Sequence, residues 1–159
     1  MDHMLTATFT IHTHRSPEES FSYLSDLGHQ PQWRHDVTSS ELERGAPGEP
    51  GSRWRQQVRT GPLPRPHERH VELSAVRPNT HLVVRTVDDA LLRAEGTYDL
   101  EPDGTGTAIS VTTSLTAARP AGNVALRAIG RHFRTTVDRY RTQLQDALDG
   151  AAPAGEGTA

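Results

Sequence analysis

Between Asn123 and Asp149 the apolar residues are Leu126, Ile129, Phe133, Val137, Tyr140, Leu144 and Leu148, each three or four positions from the next. That spacing draws one stripe along an α-helix. Arg127, Arg131, Arg134, Asp138, Arg141 and Asp146 fall mostly on the other face. At about 1.5 Å per residue the helix is roughly 40 Å long, enough to cross a small domain. Its stripe must be covered by something upstream, and upstream the chain reads mainly as strands. The spacing therefore predicts a long helix cradled by a curved sheet.

Residues 4–13 alternate, with Leu5, Ala7, Phe9 and Ile11 on one face and Thr6, Thr8, Thr10 and His12 on the other. This is the pattern of a half-buried strand. Ser16-Pro17-Glu18-Glu19 starts a helix, with Ser as the cap, Pro in the first turn and Glu three residues after the cap. Phe21 and Leu24 give that helix a buried side, and it ends near Leu27-Gly28. A second short helix or turn over 31–36 carries Trp33. Strands are expected over 37–43, 53–60, the stretch holding Val71, Leu73 and Ala75, then 82–87, 92–100 and 108–115. Gly- and Pro-rich turns fall at 45–51, 77–79 and 101–106, with Asp88-Asp89 as a hairpin. Residues 61–66 hold three prolines, which cannot donate to a ladder, and form a loop. The loop 117–122 leads into the long helix. Short turns between successive strands imply an antiparallel sheet, which twists and curls. Residues 1–150 read as one domain, and the small, polar residues 151–159 as a disordered tail.

Composition removes whole classes of chemistry. The 159 residues include no Cys, so there is no disulfide, thiol nucleophile or thiolate metal site. All 17 basic side chains are Arg, which excludes Schiff-base and pyridoxal-phosphate lysine chemistry. A net charge of −3 gives no electrostatic case for nucleic acid. No stretch approaches the roughly 20 apolar residues of a membrane span, and the start lacks the order of a secretory signal. A cytoplasmic protein is expected.

The order of elements, and four stretches within it, resemble the START/Bet v 1-like (SRPBCC) superfamily and its polyketide cyclase/dehydrase group. Ser16 to Asp26 resembles the family's first helix, and Pro31-Gln32-Trp33 its P-x-W in the second. Gly96-Thr97-Tyr98-Asp99-Leu100-Glu101-Pro102, followed by Gly106-Thr107, resembles its sixth strand and turn. The terminal helix is the fourth. The resemblance covers residues 4–149. It implies an α+β helix-grip fold: a seven-stranded antiparallel curved sheet wrapped around the long C-terminal helix, two short helices after the first strand, and a cavity between. Family members bind lipids, hormones, polyketides or other apolar molecules. Some catalyse cyclisation, aromatisation or dehydration, and others are carriers.

Strand parity nominates the residues of a site. Trp54, Gln56, Val58, Arg69, Val71, Leu73, Gly96, Tyr98, Leu100, Ile109, Val111 and Thr113 should face inward, opposite Leu126, Ile129, Gly130 and Phe133 on the helix. Of these, Trp54, Gln56, Val58, Val71, Leu73, Thr113, Leu126, Ile129, Gly130 and Phe133, with Trp33 closing the short-helix side, are the candidate ligand contacts. Such a lining, mostly apolar with a few polar groups, suits a small, largely apolar molecule such as a polyketide intermediate. His35, Arg69 and Tyr98 are the candidate catalytic groups. Arg69 can hold an enolate, and a rim His can move protons at neutral pH. Aromatase/cyclases of the family carry an Arg further along the Arg69 strand, where this chain has Val71, Leu73 and Ala75. His12 and His14 share a strand face without a third ligand, and His67 and His70 fall on opposite faces, so no metal site is expected, nor any cofactor. The reading is a cofactor-independent polyketide cyclase/dehydratase-type enzyme of bacterial secondary metabolism. Its alternative is a non-catalytic carrier of a hydrophobic ligand or lipid.

Overall fold

Alternation along the first strand is realised as β1 (Met4–Thr13), whose Leu5, Ala7 and Phe9 are half-buried and whose Ile11 is buried, while Thr6, Thr8 and Thr10 are exposed. The computed structural model describes residues 4–59, 66–87 and 91–157, with side chains through Gly150. After β1 come α1 (Pro17–Ser25), a 3₁₀ turn (Leu27–His29) and α2 (Gln30–Trp33). Then follow β2 (Val37–Arg44), β3 (Arg53–Val58), β4 (His67–Arg77), β5 (His81–Val87), β6 (Leu92–Asp103) and β7 (Gly106–Ala117), and finally α3 (Pro120–Gly157). Ser16 caps α1 as its sequence implies: its hydroxyl accepts from the Glu19 amide at 3.1 Å and lies 3.1 Å from the Glu19 carboxylate. The backbone of α3 is helical through Gly157, into the stretch that the sequence assigns to a tail.

The seven strands form one antiparallel sheet in the order β1-β7-β6-β5-β4-β3-β2. It is the helix-grip arrangement, with α3 in the concavity. The β6–β7 turn is tighter than 101–106: the strands pair out to Asp103 and Gly106, and Gly104 takes φ 63°, a conformation in which a side chain would be strained. A bulge at Ser74 changes the parity of β4. Arg69, Val71 and Leu73 point inward as expected, but beyond the bulge it is Val76 that packs on the core and Ala75 that is exposed.

The two halves of α3 differ in what covers them. Tyr140, Leu144 and Leu148 belong to the main core with Ile11, Leu24, Leu27, Leu82, Leu100 and Ile109. Leu126, Phe133 and Val137 are buried but stand apart from that cluster, and Phe133 borders open space between helix and sheet. Around the start of α3, the Ala118 amide donates to the Leu91 carbonyl at 2.9 Å. Gly122 lies so close that a Cβ there would strike the same carbonyl and Ala117. The connection from β7 into α3, shorter than the loop 117–122 read from sequence, and the end of the β5–β6 connection thus meet. The strand order from sequence also implies that the loop 61–66 and the Asp88-Asp89 hairpin cluster at this end, but residues 61–65 and 88–89 lie outside the described residues.

This division predicts unequal costs along the stripe. Leu144 is fully enclosed, so Leu144→Ala should cost about 2–5 kcal/mol. Phe133 already adjoins empty space, so Phe133→Ala should fall below the roughly 3 kcal/mol at which such truncations usually start. Urea unfolding of both variants measures this, and a Phe133 loss as large as that of Leu144 would mean the helix is packed equally along its length.

Candidate functional site

The space beside the first half of α3 is a cavity of about 800 Å³, open at one side. Phe9, Val71, Val84, Val111, Leu115 and Ile129 give it apolar walls. They come from β1, β4, β5, β7 and α3, whose inward parity supplies them. Its polar end is built by the segment that follows α2. Arg34 is extended (φ −106°, ψ 105°), and one guanidinium nitrogen donates both to Asp36 Oδ2 and to the Tyr140 hydroxyl, each at 3.2 Å. The same guanidinium lies over the Tyr140 ring, 4.8 Å from its centroid, in a cation–π contact. Trp33 meets the rings of Tyr98 and Tyr140 edge-on, with centroids 6.4 and 6.3 Å away. Arg34 Nε and Asp36 Oδ1 are buried without a hydrogen-bond partner.

Burial and charge set the protonation of this end. Burial opposes ionisation of Asp36, but the Arg34 and Arg69 guanidiniums, with the Tyr140 hydroxyl, outweigh it and hold the carboxyl below its ordinary 3.8. Burial also works against the charge on Arg34, and Asp36, followed by the two tyrosines, more than reverses it, so the guanidinium stays protonated. Burial is the main cause that pushes the Tyr98 phenol up to about 12, and it raises Tyr140 as well. At neutral pH the end therefore presents two neutral phenols beside fixed ionic groups.

Arg69 reaches the same wall from β4 and is held by an amide relay. Its Nε donates to Gln56 Oε1 at 3.0 Å, and the Gln56 amide donates to Gln30 Oε1 at 2.8 Å and to Ser40 Oγ at 3.1 Å. Gln56 is fully buried, and these protein partners occupy both ends of its amide.

The family profile described as polyketide cyclase / dehydrase and lipid transport matches residues 4–145. The chain belongs to this polyketide cyclase/dehydrase family. No curated relative matches it in sequence. Among solved structures it is similar to a protein of Thermus thermophilus, at TM-score 0.71 and 17% identity over 91% of this chain and 97% of that one. A START superfamily protein from Mycobacterium smegmatis superposes at TM-score 0.68 with 18% identity, over 90% of this chain and 96% of that one. A truncated norcoclaurine synthase from Thalictrum flavum gives 0.64 with 13% identity, over 92% and 94%. At these identities the likeness speaks for the fold.

Within this family member, eight of the fourteen candidate ligand contacts and catalytic groups border the cavity: Trp33, His35, Arg69, Val71, Tyr98, Thr113, Ile129 and Phe133. Six do not. Trp54 points inward but lies under the short helices, where a Cβ on Gly28 would come within 3.2 Å of its indole. Gln56 serves Arg69 instead of a ligand. Val58, Leu73 and Leu126 are core, and Gly130 is exposed, facing Leu5 at ordinary contact distance. His35 is engaged by Gln143 and Tyr140: its Nδ1 lies 3.3 Å from Gln143 Oε1 and its ring meets that of Tyr140 at a tilt. Arg34, Asp36 and Tyr140 were not singled out by parity. Arg34 and Asp36 sit in an irregular segment with no period to read. Tyr140 was legible as part of the stripe, and only its hydroxyl hinted at more. Among the described residues, no group of three His, Asp or Glu side chains is placed to hold a metal ion, and no helix is long and apolar enough to cross a membrane.

Two measurements follow from this geometry. A cavity ligand should alter the fluorescence of Trp33 and not of Trp54. Trp33→Phe should then remove the response and Trp54→Phe should keep it; the reverse result would move the site beneath the short helices. Asp36 contributes stability above its unfolded value, and that contribution is lost as pH falls through its lower folded value. Asp36→Asn should remove this part of the acid-side slope and, by stranding the buried Arg34 charge, cost about 3–5 kcal/mol near neutral pH. An unchanged acid limb in denaturation curves would show that the pair is not formed in solution.

Proposed function

We propose that the cavity takes a flexible, largely apolar substrate and that the protein acts on it as a cofactor-independent cyclase or dehydratase of the polyketide type, in the cytoplasm, within bacterial secondary metabolism. The observation that carries the reading is the ion-paired, phenol-bearing cluster set into the wall of an otherwise apolar, ligand-sized cavity. A plain container for an apolar molecule has no use for a buried Arg–Asp pair, which costs desolvation free energy and is matched or bettered in stability by packed hydrophobic side chains.

The chemistry asked of the residues is modest. Apolar walls fold the substrate so that a carbon nucleophile approaches a carbonyl. Tyr98, a neutral phenol at working pH, donates a hydrogen bond to the carbonyl oxygen as negative charge develops there. Arg69, fixed by Gln56, stabilises an enolate on the same side. His35, at the wall beside Tyr140, is the group suited to moving the proton released on enolisation and returned on loss of water.

The test is turnover. A linear tri-β-ketone thioester is incubated with the protein, and ring closure with loss of water is followed by the rise in aromatic absorbance. Tyr98→Phe should slow the reaction by about 10²-fold or more, the scale of one positioned acid–base or oxyanion group, while Trp33 fluorescence still reports binding. Binding without turnover in the unmodified protein would favour the carrier reading and end the enzymatic one. The lipid transport in the family's description makes that the natural alternative.

A further inference from the structure

The charge around the cavity is lopsided. Although the chain carries a net −3, six arginines border the cavity against two acidic residues, Asp36 and Glu95, among the described residues. Arg85 and Glu95 are register partners on exposed, outward positions of β5 and β6, and Arg85 lies 3.9 Å from the Glu72 carboxylate. Among the described residues, the remaining five arginines, Arg34, Arg59, Arg69, Arg127 and Arg131, border the cavity with one carboxylate, Asp36, which Arg34 engages and which lies in the field of Arg69, itself held by Gln56. The five are arranged in depth. Arg34 and Arg69 stand at the polar end. Arg59, Arg127 and Arg131 are exposed and border the open side, the latter two one turn apart on α3.

Taking the cavity as the ligand site of the reading above, we propose that its occupant is an anion: a molecule with an apolar body and a carboxylate end, drawn in past Arg59, Arg127 and Arg131 and held at the polar end by Arg34, Arg69 and the Tyr98 hydroxyl. The apolar walls and the cationic groups occupy different parts of one cavity, which is the layout an amphipathic acid needs. Guanidinium groups with phenol donors match carboxylate oxygens in number and geometry. Cations at the mouth raise the local concentration of an anionic ligand and speed its capture, an effect that salt screens over about 10 Å at 0.1 M. A neutral ligand of the same shape could accept hydrogen bonds from the arginines but would gain nothing from their net charge.

The experiment compares decanoate with decanol, the same chain with and without the charge, by calorimetric titration of the full-length protein at low and at high salt. Decanoate should bind about tenfold or more tightly at low salt, and the advantage should shrink several-fold at high salt. Arg127→Gln with Arg131→Gln should narrow the gap between acid and alcohol through the mouth, and Arg69→Met should narrow it through the polar end. Neither variant removes a member of the Arg34–Asp36 pair, so the fold is retained. Decanol binding as tightly as decanoate overturns the anionic inference and leaves the ligand-binding cavity standing. An advantage that survives both variants overturns it too, because the charge would then be recognised elsewhere. Failure of both probes to bind overturns the inference together with the cavity reading, and neither result decides turnover of the ketone thioester.

Discussion

The structure depends on how the last helix is fastened. β1 is an edge strand, and its His12 has a backbone N–H and C=O that no neighbouring strand takes. The Gln145 side chain of α3 takes both, its Oε1 accepting from His12 N and its Nε2 donating to His12 O. Thr13 donates to Asp149 at 2.8 Å, and Arg15 Nε donates to the Leu148 carbonyl at 2.6 Å. With Leu144 and Leu148 buried beside these contacts, the C-terminal half of α3 is fixed to the sheet by polar and apolar groups together. Only with that end secured can the other half run beside a void. A seven-stranded sheet curls more widely than one helix can fill, and the unfilled part is the cavity.

Where the packed and open halves of α3 meet, Tyr140 belongs to both. Its ring is part of the main core, and its hydroxyl accepts from Arg34 at the cavity wall. The polar cluster is therefore held by core packing on one side and by the extended segment after α2 on the other. Such placement keeps ionic groups at fixed positions in a poorly hydrated setting, where their fields are strongest and need no reorganisation. It also explains why Asp36 must be paired: an isolated carboxylate at that depth would be too costly to keep ionised.

The sheet, the capped first helix and the terminal helix were legible because each has a period that burial enforces. Parity assigned Trp54, Gln56, Leu73 and Tyr98 to the inner face correctly. Parity does not report depth, however. The inner face includes both the core under the short helices and the cavity wall, so Trp54 and Tyr98 looked equivalent and are not. The Ser74 bulge is a second failure of the same kind, since one extra residue in a ladder reverses every inward assignment beyond it. The Arg34–Asp36 pair was hidden for a different reason. It lies in a segment without regular structure, and its burial comes from Tyr140, more than a hundred residues later in the chain.

Hydrogen-bond inventory at the polar end constrains what can rest there. Arg34 and Arg69 are donors only, at any pH the fold survives. Tyr98 and Tyr140 remain phenols well past neutrality, so Tyr98 can donate while Tyr140 is already accepting from Arg34. Asp36 has one oxygen occupied by Arg34, and the other is buried. The cluster thus offers mostly donors to a ligand and has little accepting capacity left. An ammonium or amide N–H brought to this end would meet like charge or lose its hydrogen bonds to water without replacement. An oxygen that accepts, whether carbonyl, enolate or carboxylate, would be met by donors already in place. The polarity of the site therefore selects for oxygen acceptors before shape is considered, and the apolar walls decide among the molecules that carry them.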